Sequence, residues 1–202
     1  MSGIATMLLA AGGSRRFGAD SKLMADLGGR PVVDHAAQAV AETTAAHRIA
    51  VVRPGPDPMR ALLAARGFAL VDNPRAEEGM GASISAGTAY AAEHAATGLL
   101  VCLADAPLIR SLTLSVMMDA FAARKNAGAI VVARDARRRG APVVFGAAHF
   151  PALMALEGDE GGRALLAAHA DMVTEVATSR PDELDDVDTP AALAAVRERL
   201  KG

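Results

Sequence analysis

Ile4-Ala5-Thr6-Met7-Leu8-Leu9-Ala10-Ala11-Gly12-Gly13-Ser14-Arg15-Arg16-Phe17-Gly18-Ala19-Asp20-Ser21-Lys22 decides how the chain is read. An apolar run ends abruptly in a loop of small residues. Arg15, Arg16 and Lys22 then follow within ten residues of Gly12. Glycines let backbone N–H groups face a ligand and approach it closely. Cationic side chains just beyond them supply charge for phosphate oxygens. A strand ending in such a loop has the layout of a nucleoside triphosphate site at the carboxyl end of a first strand.

Outward from that loop, short apolar runs alternate with amphipathic stretches. Residues 4–10, 48–53, 69–72, 98–103, 129–133, 142–145 and 172–177 are expected as strands. Residues 31–46, 58–66, 80–95, 111–126, 148–156, 161–168 and 190–201 are expected as helices. Pro31, Pro58 and Pro190 suit first helical turns, and Gly67 and Gly128 suit helix ends. Strand and helix alternating at this spacing predict a three-layer α/β fold, with a mostly parallel sheet and helices on both faces. The 202 residues suffice for one core, expected as a single domain over 1–202. Apolar residues make up 51% and aromatics only 3%, so Ala, Leu and Val must build that core.

The formal charge of −2 gives no bulk attraction to nucleic acid or anionic membrane. Cys102 is the single cysteine, which excludes an internal disulfide or a cysteine-based zinc site. No apolar run reaches the roughly 18 residues of a membrane span. Residues 4–11 lack a basic segment before them, unlike a signal peptide, so a cytoplasmic protein is expected.

Neither G-x-G-x-x-G nor a P-loop is present: Gly13-x4-Gly18 is followed by Ala19-Asp20, not Lys-Ser/Thr. Val101-Cys102-Leu103-Ala104-Asp105-Ala106-Pro107 places a carboxylate at the end of an apolar strand, a position for a Mg2+ ligand. Asp186-Val187-Asp188-Thr189-Pro190 reads by itself as a helix start, with Asp188 as cap. Asp72-Asn73-Pro74-Arg75-Ala76-Glu77-Glu78-Gly79-Met80-Gly81-Ala82-Ser83-Ile84-Ser85-Ala86-Gly87 brings a glycine-rich loop and a helix start toward a ligand, with Ser85 and Gly87 assigned to helix packing. Arg134, Arg137, Arg138 and Arg139 form either a solvated loop or a rim attracting an anionic acceptor. His35, His47, His94, His149 and His169 show no ligand spacing.

The pattern A-A-G-x-S-x-R-F-G-x-x-x-K over residues 10–22 resembles the signature of nucleotidyltransferases, most of all the molybdenum cofactor cytidylyltransferase group and its guanylyltransferase relatives. Similar to that family too are L-A-D-x-P at Asp105, N-P-x4-G-x-x-x-S-x-x-x-G from Asn73, G-x-P-x-x-F from Gly140, and G-D-x-G-x-R from Gly158 to Arg163. The resemblance implies a Rossmann-like nucleotidyltransferase fold. It also implies nucleotide contacts from Ala10, Ala11, Gly12, Gly13, Lys22, Asn73, Gly79 and Ser83, with Arg16 and Lys22 neutralising the triphosphate. Asp105 and Asp188 would be the two protein ligands of one Mg2+, and Gly140, Asp159, Gly161 and Arg163 would bind the acceptor. Implied partners are an NTP, a phosphorylated small-molecule acceptor, and a recipient molybdoenzyme or its chaperone. The chain departs from the group at Ala106, Ala141 and Gly162. Ala10-Ala11-Gly12, with G-D-x-G-x-R, favours CTP and molybdopterin over GTP or another phosphorylated acceptor. An NAD(P)-dependent oxidoreductase and a non-catalytic nucleotide-binding regulator are the readings from other classes.

Overall fold

The computed structural model describes residues 3–13, 17 and 21–200. Its strands are β1 (Ile4–Leu9), β2 (Asp26–Leu27), β3 (Arg30–Pro31), β4 (His47–Val52), β5 (Ala69–Asp72), β6 (Gly98–Leu103), β7 (Ile130–Arg134), β8 (Arg139–Gly146) and β9 (Val173–Ala177). Its helices are α1 (Val32–Ala41), α2 (Pro58–Ala65), α3 (Met80–Glu93), α4 (Ser111–Arg124), α5 (Phe150–Met154), α6 (Arg163–Ala168) and α7 (Pro190–Arg199). Seven strands form one sheet in the order β5-β4-β1-β6-β8-β7-β9, as expected of a Rossmann-like nucleotidyltransferase. Every neighbouring pair is parallel except those made by β8, which runs antiparallel to β6 and β7. β1 lies between β4 and β6, so the order of connection reverses beside it, and the crevice at the carboxyl ends of β1 and β6 is where ligands bind in such sheets.

Side-chain alternation along the strands builds two apolar layers. Leu8, Ala50, Leu100 and Val131 face Val33, Leu63, Leu114 and Met117 of α1, α2 and α4. Met7, Ile49, Leu99 and Phe145 face Ile84, Phe150, Leu153 and Leu166 of α3, α5 and α6. Gly87 lets α3 lie on β1: a methyl there would fall 2.0 Å from Met7 Sδ. A third cluster joins Leu27 and Val32 to Val187, Leu193 and Val196, docking α7 beside the first hairpin.

Several expected boundaries shift for local reasons. α1 stops at Ala41 rather than 46, where the Thr43 hydroxyl and N–H both donate to the Val40 carbonyl. Pro31 sits in the β2–β3 hairpin, whose Gly28 and Gly29 at φ 67° and 86° make the turn. Gly67 ends α2 at φ 81°, as expected. Gly128 does not end α4; Lys125 takes the left-handed position at φ 48°. The expected helix over 148–156 divides into a 3-10 turn at Ala147–His149 and α5.

Candidate active site

The end of β1 is anchored to its neighbours. The Ala10 N–H donates to the Val51 carbonyl at 2.9 Å, and the Ala104 N–H to Leu9 at 3.2 Å, so the ends of β1, β4 and β6 are stitched together. Ala10 and Ala11 are buried, whereas Gly12 and Gly13 are exposed, and a methyl on Gly12 would meet nothing within 4 Å. Exposed glycines there leave the main chain accessible to a ligand, as a phosphate cradle requires. Arg16 lies outside the described residues.

A 3-10 turn at Lys22–Met24 carries Lys22 inward instead of onto a polar surface. Its Nζ donates to Asp105 Oδ2 at 2.6 Å and to Asp188 Oδ1 at 2.7 Å. Three residues separated by 83 and 166 positions therefore meet at one point. Their side chains are 11%, 20% and 45% exposed for Lys22, Asp105 and Asp188, so the cluster opens to solvent on the Asp188 side. Burial pulls the Lys22 pKa down, but Asp105 and Asp188 outweigh it and leave the ammonium above its ordinary value.

Asp188 reaches that point because it is not the cap of α7. Thr189 caps the helix, its hydroxyl accepting from the Ala192 N–H at 3.1 Å, and Asp188 is left to face Lys22. The Val187 N–H donates to the Asp105 carbonyl at 2.8 Å, which fixes the two acids side by side. Their oxygens contact one ammonium, so they are no farther apart than two hydrogen bonds in series. Two hard oxygen donors aimed at one cation suit Mg2+ or Mn2+, which take further ligands from phosphates and water. Among the described residues no group of three or more His, Cys, Asp or Glu is arranged for a metal.

Asn73 and Ser83 are both buried, and the Asn73 amide donates to the Ser83 hydroxyl oxygen at 3.0 Å while accepting from the Arg75 N–H. This bracing shapes the loop before α3. Gly79, at φ 121°, and Gly81 are needed for another reason. A methyl on either would lie 2.3 or 2.6 Å from the carbonyl oxygen of Gly158 or Glu157, and the Gly81 N–H donates to Gly158. The segment expected to hold the nucleotide is thus clamped to the segment expected to hold the acceptor. In that second segment Asp159 and Arg163 are exposed, Gly161 lies beside Met80, and Gly162 makes room for the Phe145 ring. α6 starts at Arg163 rather than Gly161 and has only six residues. Gly140 sits at the start of β8, with nothing within 4 Å of a methyl placed on it.

The arginine cluster is already paired. Arg134 and Arg139 contact Glu175, Arg137 bridges Asp135 and Asp185, and Arg138 donates to the Leu184 carbonyl. Asp185 also meets Arg199 of α7. The cluster pins the segment that carries Asp188. Sequence reading missed Arg53, at the end of β4, whose Nε donates to the Ala11 carbonyl at 2.9 Å while its NH1 reaches Glu77. Its place at the carboxyl end of the strand next to β1 was the available signal. Cys102 is buried, and burial pushes its thiol up to about 12, too high for a thiolate at neutral pH. A cavity of about 360 Å³ opens elsewhere, between α1 and the start of α4, and none of the expected site residues lines it.

A Rossmann-like sheet with an open glycine loop, one lysine and paired acids at its switch point defines a nucleotide-handling α/β protein. The chain belongs to the MobA-like NTP transferase domain family, whose model matches residues 6–173. Asp188 lies beyond that match. It is 33% identical over 132 residues to the purine catabolism protein PucB of Bacillus subtilis, covering 62% of this chain and 59% of PucB. It is 28% identical to nicotine blue oxidoreductase of Paenarthrobacter nicotinovorans over 91% of each chain. Rv0371c of Mycobacterium tuberculosis superposes with a TM-score of 0.80 at 27% identity over 98% of both chains. A structure of Rv0371c in complex with manganese gives 0.76 at 24%, also over 98% of both. Among the described residues no helix is long and apolar enough to cross a membrane.

Proposed function

We propose that the chain transfers a nucleotidyl group from an NTP, CTP in the first place, to a phosphorylated acceptor, molybdopterin in the first place, releasing pyrophosphate. The observation that carries this reading is the meeting of Lys22, Asp105 and Asp188 beside the open loop after β1. Asp105 and Asp188 would hold Mg2+, which when bound offsets charge on the phosphates. The complex of Rv0371c with manganese supports a divalent ion in this fold.

Ala10 to Gly13 would present main-chain amides to the triphosphate, and Lys22, with Arg16, would stabilise the departing pyrophosphate. The acceptor phosphate attacks the α-phosphorus in line and is already anionic near neutral pH, so no side chain need remove a proton. Positioning of the two substrates by the clamped 79–81 and 157–159 segments supplies the rest. Gly140, Asp159, Gly161 and Arg163 are proposed for the acceptor side.

The name of the nicotine blue oxidoreductase relative favours a second reading, hydride transfer from a nicotinamide cofactor. A pyrophosphate-release screen of CTP, GTP, ATP and UTP, with and without molybdopterin, tests the first. Divalent-ion-dependent pyrophosphate release with CTP is expected. Loss of NAD(P)H absorbance without pyrophosphate would establish the second instead.

A further inference from the structure

We infer that the Lys22 ammonium serves as an internal cation that keeps the Asp105–Asp188 pair closed to a divalent ion until nucleotide phosphates draw the lysine away. The inference rests on the proposed role of the two acids as metal ligands.

Two carboxylates fixed side by side repel each other and need a cation between them. The backbone bond from Val187 to Asp105 and the Thr189 cap leave them little freedom to part. Lys22 meets the need from within, touching one oxygen of each acid at hydrogen-bond distance. The ammonium already takes one oxygen from each acid, Asp105 Oδ2 and Asp188 Oδ1, that the pair would otherwise offer an ion. A divalent ion that takes those oxygens must therefore displace a buried lysine bonded to both acids.

A nucleoside triphosphate changes the balance. Its phosphates, lying along the loop after β1, offer the ammonium an alternative set of oxygens. Four methylenes let the lysine head shift several ångströms without moving the backbone. Once the lysine has turned to the phosphates, Asp105 Oδ2 and Asp188 Oδ1 would no longer be held by the ammonium and would be the oxygens available to an ion that accompanies the nucleotide. Ion and nucleotide thus favour each other's binding, and by linkage the coupling is reciprocal. An ion would be held poorly without the substrate it serves.

Mn2+ alone, without nucleotide, is the probe. Bound Mn2+ is counted by loss of the free-ion paramagnetic resonance signal in the wild type, Lys22→Met, Lys22→Gln and Lys22→Arg, each first checked by far-ultraviolet circular dichroism. Both neutral variants are expected to bind Mn2+ about tenfold or more tightly than the wild type, in the range of ordinary site coupling. Lys22→Arg should stay near wild type, and adding Asp105→Asn to Lys22→Met should abolish the gain. Tight stoichiometric Mn2+ binding by the wild type alone overturns the inference without any variant. Equal binding by wild type and neutral variants overturns it too, and leaves the metal-ligand reading standing. Absence of Mn2+ binding in every variant, the two neutral ones included, removes the metal-ligand reading and this inference together.

Discussion

Replacing Gly81 by alanine pits local preference against tertiary contact. In the first turn of a helix, alanine should stabilise by about 0.5–1 kcal/mol relative to glycine. The structure reverses that sign. The new methyl would lie 2.6, 2.8 and 2.9 Å from the carbonyl oxygen, carbonyl carbon and nitrogen of Glu157, all backbone atoms that no rotamer change can move. The 157–159 segment must retreat by roughly an ångström, breaking the 2.8 Å bond from Gly81 N–H to Gly158, worth about 1 kcal/mol. Overpacking of this kind costs about 1–3 kcal/mol. After the helix gain is subtracted, a net loss of about 1–3 kcal/mol remains, or about 3–10 °C in Tm for a chain of this size. Thermal melts followed by circular dichroism measure it. Because the displaced segment carries Asp159, the KM for the acceptor should rise with kcat less affected. An unchanged or raised Tm would refute the clamp between the two segments.

Asp105→Asn should raise the divalent-ion concentration needed for half-maximal pyrophosphate release, and an unmoved metal titration would exclude Asp105 as a ligand. Lys22→Ala should cut turnover by orders of magnitude and also lower Tm, because it leaves two neighbouring carboxylates without their shared cation; single-turnover rates and melts report both. Arg137→Ala removes contacts to Asp185 and to the buried Asp135 carboxylate, which keeps its N–H bonds from residues 137 and 138, so Tm should fall only modestly. The metal titration should nonetheless shift, since the Asp185 contact helps pin the segment bearing Asp188. Asp34 is shielded from water, which alone would raise its pKa, but bonds from Arg66 and Arg30 outweigh this and hold it below the usual carboxylate range. Its contribution is present above the unfolded value near 4 and is lost as pH falls through the lower folded value. Asp34→Asn should therefore lower Tm at neutral pH, and the gap to wild type should close in acid.

The α/β alternation was legible because each apolar run is bounded by proline, glycine or charge, and the seven strands of the main sheet fall within a few residues of the expected ones, while the two-residue strands β2 and β3 were not foreseen. The direction of β8 was also implicit. Four residues, Asp135 to Arg138, separate Arg134 from Arg139, too few for the crossover that a parallel strand needs. The candidate site was easiest to locate where a residue follows directly on a strand end, as at Asp105 after β6 and Gly12 after β1. It was ambiguous at Asp188, where a one-residue shift decides which residue caps α7, and the Thr189 hydroxyl bond gives that cap to Thr189. The four arginines could not be sorted from sequence, since their partners Glu175 and Asp185 lie some 36 to 48 positions away. Arg53 escaped notice because nothing local links it to Ala11; only strand order does.

The apolar seam between the early hairpin and α7 has a consequence for how the protein is made. All seven strands of the sheet are present by Ala177, but Asp188 and the helix that seats it follow afterwards. A chain extended only as far as Ala177 owns its complete sheet but still lacks the second acid that meets Lys22. That acid takes its place only once α7 has been made and packs back onto Leu27 and Val32.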